Sequence, residues 1–293
     1  MHKSVLAIAI GVGLLIGSAQ AASAGSMDDV VNACTSEKAK LDDPEGLFCR
    51  GEDMFRDRQD ADAYSNFLKS AEMGYAPAQT MAGLMLEHGD GVARDNVAAL
   101  GWLLKAAEQG MAEAQNEYAY LTYYGYDNVA ADPAAAVPWF RKAADQGSTN
   151  AQTMLAGANY NGEGVDKNLD EAFRLYKLAA DHGHPYAMYM LGTMYITGEG
   201  TARDLKLAET WLVKAAFLGV PDAQAQLGDL YSAPGDMYDP VKAMTWFKVY
   251  MGNPDAEHPG EMDAVAAKLT PEQQSQAETA AAVIRVQINT QSQ

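Results

Sequence analysis

One glycine recurs at nearly even intervals along this chain, and that period constrains the fold more than any other feature. Gly74, Gly110, Gly147, Gly183, Gly219 and Gly252 are separated by 36, 37, 36, 36 and 33 residues. Three of them close the same cassette: Lys105-Ala106-Ala107-Glu108-Gln109-Gly110, Lys142-Ala143-Ala144-Asp145-Gln146-Gly147 and Lys214-Ala215-Ala216-Phe217-Leu218-Gly219. In a fourth copy, ending at Gly183, Leu178 replaces the Lys. A period this short marks a supersecondary unit that buries its apolar face only by stacking on its neighbours.

Each unit reads as two helices around a turn. The first opens with Ala78-Gln79, Ala114-Gln115, Ala151-Gln152 or Ala223-Gln224, with Ala187-Met188 as the variant. Larger residues four and eight positions later share a helical face with the opening Ala. The small residue five positions on, Gly192 or Gly228 for example, predicts a close approach by another helix. Such an approach offsets the propensity cost of a mid-helix glycine, about 1 kcal/mol. Turns follow at Gly89-Asp90-Gly91, Gly162-Glu163-Gly164 and Gly198-Glu199-Gly200, where glycine permits positive φ past a helix end. These turns lack the residues of a phosphate-binding loop or a calcium loop. In the second helices Trp102, Trp139, Trp211 and Trp246 share one repeat position. That position predicts core packing and argues against a carbohydrate-stacking platform. The unit beginning at Ala114 is irregular: it has Tyr126-Asp127-Asn128 at its turn, and Pro138, inside its second helix, predicts a kink.

The spacing and the cassette resemble the SEL-like (Sel-one-type) repeat family, related to tetratricopeptide repeats. The match is strongest over residues 187–219, 151–183 and 78–110, and looser over 114–147 and 223–252. The resemblance implies an all-α fold, an αα-hairpin repeat solenoid forming a right-handed superhelix. One degenerate and five recognisable repeats would occupy residues 46–252. It also implies that first helices line a concave face, and that the protein is an interaction scaffold and not an enzyme. Family members include exported bacterial adaptors and envelope regulators. Cys-rich relatives that act on β-lactams carry a disulfide in every repeat, which this chain does not; hydrolysis of β-lactams or peptidoglycan peptides is the alternative function.

The ends flank this array. Residues 1–24 read as a signal peptide, with Lys3 before an apolar run from Val5 to Ile16 and small-residue cleavage sites after Ala21 and Ala24. The apolar run is shorter than the roughly 20 residues needed to span a bilayer, so an uncleaved anchor is the lesser reading. A periplasmic or secreted protein is expected, with an N-terminal segment over 25–45. Cys34 and Cys49, the only cysteines, are expected to form a disulfide in that oxidising setting. Closing such a loop contributes on the order of 3 kcal/mol. Residues 253–293 read as a C-terminal cap: Thr270-Pro271-Glu272-Gln273 predicts a helix start, and Ala277, Ala280, Ile284 and Ile288 follow at helical spacing. A partner-binding peptide is the other reading of this tail.

With 48% hydrophobic and 20% charged residues, the chain can bury a substantial core. Its formal charge of −18 disfavours nucleic acid and anionic membranes as partners. It suits either cationic partners or simple solubility. No nucleophile, zinc or redox motif occurs; cofactors and metals are not expected. His182 and His184, beside Asp181, read as an ordinary turn, with a metal pair as the lesser alternative. Non-core positions of the first helices concentrate tyrosine, and Tyr120, Tyr123, Tyr124, Tyr160 and Tyr189 are the candidate contacts for a protein or peptide in the concave groove. A monomer is expected.

Overall fold

The computed structural model describes residues 26–254, 256–257 and 260–291. The signal-peptide reading, with its two cleavage sites, lies outside the described residues. Fifteen α-helices, one 3-10 turn and no strand occur among those residues. Contacts divide the chain into two compact units, residues 1–151 with 163–165, and residues 152–162 with 166–293.

The first unit holds α1 (Met27–Asn32), α2 (Pro44–Arg56), α3 (Asp60–Glu72), α4 (Ala76–His88), α5 (Asn96–Glu108), α6 (Ala112–Tyr124) and α7 (Pro133–Asp145). From α2 onward each packs against the next. The α8 helix (Thr149–Asn161) begins in this unit and continues in the second. The second unit also holds α9 (Leu169–Asp181), α10 (Pro185–Thr197), α11 (Leu205–Phe217), α12 (Pro221–Ser232) and α13 (Pro240–Tyr250). Each of these five packs against the next, and α14 (Gly260–Ala266) and α15 (Pro271–Gln291) cover α13.

The turn inside each repeat is held by a double device. The residue before the second helix, Asp95, Asp132 or Asp204, caps that helix by accepting from its first-turn N–H groups. Its own N–H donates back to a carbonyl near the end of the first helix: Leu86 at 2.9 Å, Thr122 at 2.7 Å and Tyr195 at 2.9 Å, respectively. One acidic side chain thus satisfies the start of one helix and its backbone ties down the end of the other. Glycine is required twice in this geometry. Gly164 has φ 71°, and a Cβ there would lie 2.4 Å from the Pro133 carbonyl carbon. Within α10, a Cβ on Gly192 would meet Leu212 at 2.7 Å, which is the close helix approach expected from its spacing.

The repeated Ala-Gln pair has a physical reason that periodicity alone does not reveal. Gln79 donates from Nε2 to the Ala71 carbonyl at 3.1 Å, and its Oε1 accepts from Gln109 at 2.7 Å. Gln115 does the same with Ala107 at 3.1 Å and Gln146 at 2.8 Å. Gln224 repeats it with Ala216 at 3.2 Å and Asn253 at 2.9 Å. Each buried amide therefore joins three successive helices and leaves neither its donor nor its acceptor unmet.

One sequence expectation is corrected. The tryptophans are not all core residues. Trp246 is 6% exposed, but Trp102, Trp139 and Trp211 are half-buried, and the following residue, Leu103, Phe140 or Leu212, is the one fully buried. Each half-buried indole carries a lysine ammonium from three residues on: Lys105 at 3.9 Å, Lys142 at 3.7 Å and Lys214 at 4.2 Å from the ring centroid. This is a cation–π pair on a helix face, and it explains the cassette lysine. The repeat with Leu175 in place of Trp has Leu178 in place of Lys, and the buried Trp246 is followed by Val249. As to Pro138, α7 runs through it as one helix from Pro133 to Asp145.

Cys34 and Cys49 form the expected disulfide, with Cα atoms 5.2 Å apart. It anchors the segment after α1 to α2, beside a core of Phe48, Phe67 and Met85 against which Met27, Val30 and Val31 pack. At the other end the capping box forms: Thr270 N–H donates to Gln273 Oε1 at 2.9 Å and Gln273 N–H to Thr270 Oγ1 at 3.2 Å. Ala277 and Ala281 of α15 are fully buried, and Arg285 donates to the Lys248 carbonyl of α13 at 2.9 Å.

Candidate protein-interaction surface

The five candidate tyrosines fall in two groups, one in each compact unit. In the first, Tyr120, Tyr123 and Tyr124 stand on α6. Tyr123 is 6% exposed: its ring packs edge-on against Phe140 at 5.8 Å, and its hydroxyl donates to the Glu163 carboxylate of a glycine-rich turn. The expectation that this position faces outward is corrected, because the ring fills the gap between α6 and α7. Tyr124 is 49% exposed and Tyr120 half-buried, with ring centroids 4.9 Å apart. Tyr126, from the irregular turn, stacks on Tyr120 at 6.2 Å and 20°. Sequence reasoning missed Tyr126, although the loss of the glycine-rich turn there is its visible signal.

These rings adjoin polar groups. Tyr120 lies close enough to Glu117 to feel its charge, and its phenol is pushed well above the usual range, first by the Tyr126 hydroxyl and then by burial. Glu117 is pushed up to about 7, chiefly by burial and next by the negative charge of Glu87 on α4; the Asn116 amide opposes this. Asn116 donates from Nδ2 to Glu117 Oε1 at 2.9 Å. The irregular turn is itself pinned: Asp127, at φ 52°, accepts from Asn96 at 3.0 Å.

In the second unit Tyr160 donates to Glu199 Oε2 at 2.7 Å, and that bond is the first cause of its phenol being pushed up to about 12. The same bond holds Glu199 below the usual carboxylate range. Tyr189 is half-buried and its ring lies 5.8 Å from that of Tyr186, which is 46% exposed. Tyr123 and Tyr160 occupy one repeat position, and each reaches the glutamate of a Gly-Glu-Gly turn. Glu163 and Glu199 are therefore structural partners of tyrosine.

The histidine turn has no shared ligand geometry. His184 caps α10, accepting from Ala187 N–H at 3.3 Å, and burial pushes its imidazole toward the neutral form that can accept. His182 instead lies 2.8 Å from the Leu178 carbonyl. Among the described residues no trio of His, Cys, Asp or Glu is arranged to hold a metal, and no helix is long and apolar enough to cross a membrane.

Comparison with known proteins agrees with this architecture. The sequence profile of the Sel1 repeat matches residues 47–75, 76–111, 112–148, 149–184, 185–220 and 221–248. A Sel1 repeat protein from Oxalobacter formigenes superposes with a TM-score of 0.69 at 26% identity, covering 80% of this chain and 96% of that one. A protective antigen of uropathogenic Escherichia coli strains, displaying an SLR fold, superposes with a TM-score of 0.59 at 26% identity over 85% of this chain. The chain spans 62% of that antigen's length. No curated protein matches it in sequence. Six consecutive profile matches, each falling on a helix pair and its turns, place the chain in the Sel1 repeat family.

Proposed function

We propose that this protein is an exported, non-enzymatic interaction scaffold that binds a protein or peptide through the exposed side of its first helices. The observation that carries this reading is the aromatic cluster of Tyr120, Tyr124 and Tyr126 on the irregular repeat. Three rings gathered on one solvent-facing patch, one of them supplied by a departure from the repeat pattern, combine rigid apolar area with polar tips, the composition of binding hot spots. Tyr160 and Tyr189 supply a second patch in the other unit, and Tyr123 supports the first from beneath. The Sel1 family assignment supports a scaffold role. Export is supported by the leader-like residues 1–24, and the disulfide suits an oxidising compartment. An envelope regulator, an assembly factor or a toxin-neutralising partner would each use such a surface, and a monomer suffices for it.

The test is affinity capture after crosslinking in the native envelope. The wild-type chain is expected to recover a stoichiometric partner, and the pair Tyr120→Ala with Tyr124→Ala to lose it while melting as a folded protein. Equal recovery by that variant would sink the assignment.

A further inference from the structure

We propose that Glu87, Asn116 and Glu117 form the receptor for an arginine side chain of the bound protein or peptide; this rests on the reading of the α6 face as the partner surface. The three groups come from α4 and α6 of the same compact unit. Asn116 is only 6% exposed, and while its Nδ2 is used by Glu117, its buried Oδ1 meets no donor among the described residues. The buried Oε2 of Glu87 is in the same condition. Native interiors rarely leave buried acceptors unmet, and two in one acidic cluster call for a group with several donors.

The nearby cations His88 and Arg94 act on the Glu87 carboxyl through their charge, and neither hydrogen-bonds its buried Oε2. Arg94 is engaged by Asn96 at 3.4 Å and Asp127 at 3.7 Å, and His88 lies 2.8 Å from the Leu84 carbonyl. Glu87 and Glu117 are half-buried as whole residues, while the unmet oxygens and the Glu117 carboxyl are themselves covered. A guanidinium suits the site better than an ammonium. It offers five donors in a planar fork, sheds water more readily and stacks on aromatic faces, here those of Tyr120 and Tyr126. The net charge of −18 draws such a partner in.

Fluorescence anisotropy with a labelled tetra-arginine peptide and its neutral tetra-citrulline counterpart tests this on the full mature chain. Glu87→Gln and Glu117→Gln are each expected to weaken the arginine peptide by about tenfold. Glu272→Gln on α15 should leave binding unchanged, and the citrulline peptide should not compete. Melting curves confirm that the variants are folded, and Glu117→Gln is expected to melt no lower than wild type near neutral pH. Wild-type affinity in Glu117→Gln, equal loss in Glu272→Gln or equal binding of citrulline would each overturn the receptor. If the Tyr120→Ala, Tyr124→Ala pair alone abolishes binding, the tyrosine surface stands and the receptor falls. If Glu117→Gln abolishes it and the tyrosine pair does not, the receptor stands without the aromatic face.

Discussion

The irregular repeat at 112–148 and the regular one at 185–220 use the same positions for different purposes. Tyr189 and Met190 stand on the first helix of the regular repeat, and Tyr160, on that of the repeat before it, donates to Glu199. The equivalent places are held by Asn116 and Glu117 of the irregular repeat and by Glu87 of the repeat before it, where Asn116 Oδ1 and Glu87 Oε2 are buried and meet no donor among the described residues. Both repeats keep the backbone devices, with Asp132 and Asp204 capping their second helices alike. The difference teaches that the turn and the interhelical staples carry the fold, whereas the outward side of the first helix is free to hold groups that cost stability.

The largest expected effect separates two neighbouring tyrosines. Tyr123→Ala removes a buried ring from Phe140 and should cost about 3–5 kcal/mol in denaturant unfolding, whereas Tyr124→Ala should stay within about 0.5 kcal/mol. Equal costs would mean that the burial difference between them is not real.

Acid behaviour gives the next contrast. The carboxyl of Glu117 is held near 7, above its ordinary range, because folding favours the protonated form. Its contribution to stability is therefore greatest below the ordinary glutamate pKa and is lost as pH rises toward and through about 7. Glu117→Gln should then gain on the order of 1–2 kcal/mol at about pH 8 and little at about pH 4. Placing a carboxylate in the regular repeat, Met190→Glu, should impose a similar penalty at high pH. Melting temperatures across that range check both.

Smaller effects test the staples. Tyr160→Phe should lose about 1 kcal/mol with its bond to Glu199. Lys142→Ala, removing the ammonium above Trp139, should cost about 0.5–1 kcal/mol, and the loss should not occur when Leu stands at the Trp position. A double-mutant cycle of Lys142 with Trp139 measures this directly.

The fold was legible because helix period, glycine spacing and cap residues all repeat, so local and global signals agree. The disulfide and the Thr270 capping box were legible for the same reason: each is set by local spacing. What spacing could not show is how deeply a shared position is buried. Trp139 and Phe140 are adjacent apolar residues, and only the packing of α7 on α6 decides that Phe140 is the core residue. Tyr123 and Tyr124 present the same ambiguity, resolved by the reach of one hydroxyl to Glu163, 40 residues along the chain. The acidic cluster was hidden further, because Glu87 and Glu117 come from two repeats and neither repeat alone reveals the pair. Lys with Trp, and Tyr with the turn glutamate, do co-vary among the repeats, and those signals were available.

Hydrogen exchange of backbone amides with and without the tetra-arginine peptide tests the central claim most directly. New protection is expected in residues 112–127 and in the last turn of α4, with none in 185–200. Protection confined to 185–200, or spread evenly over both repeats, would contradict it.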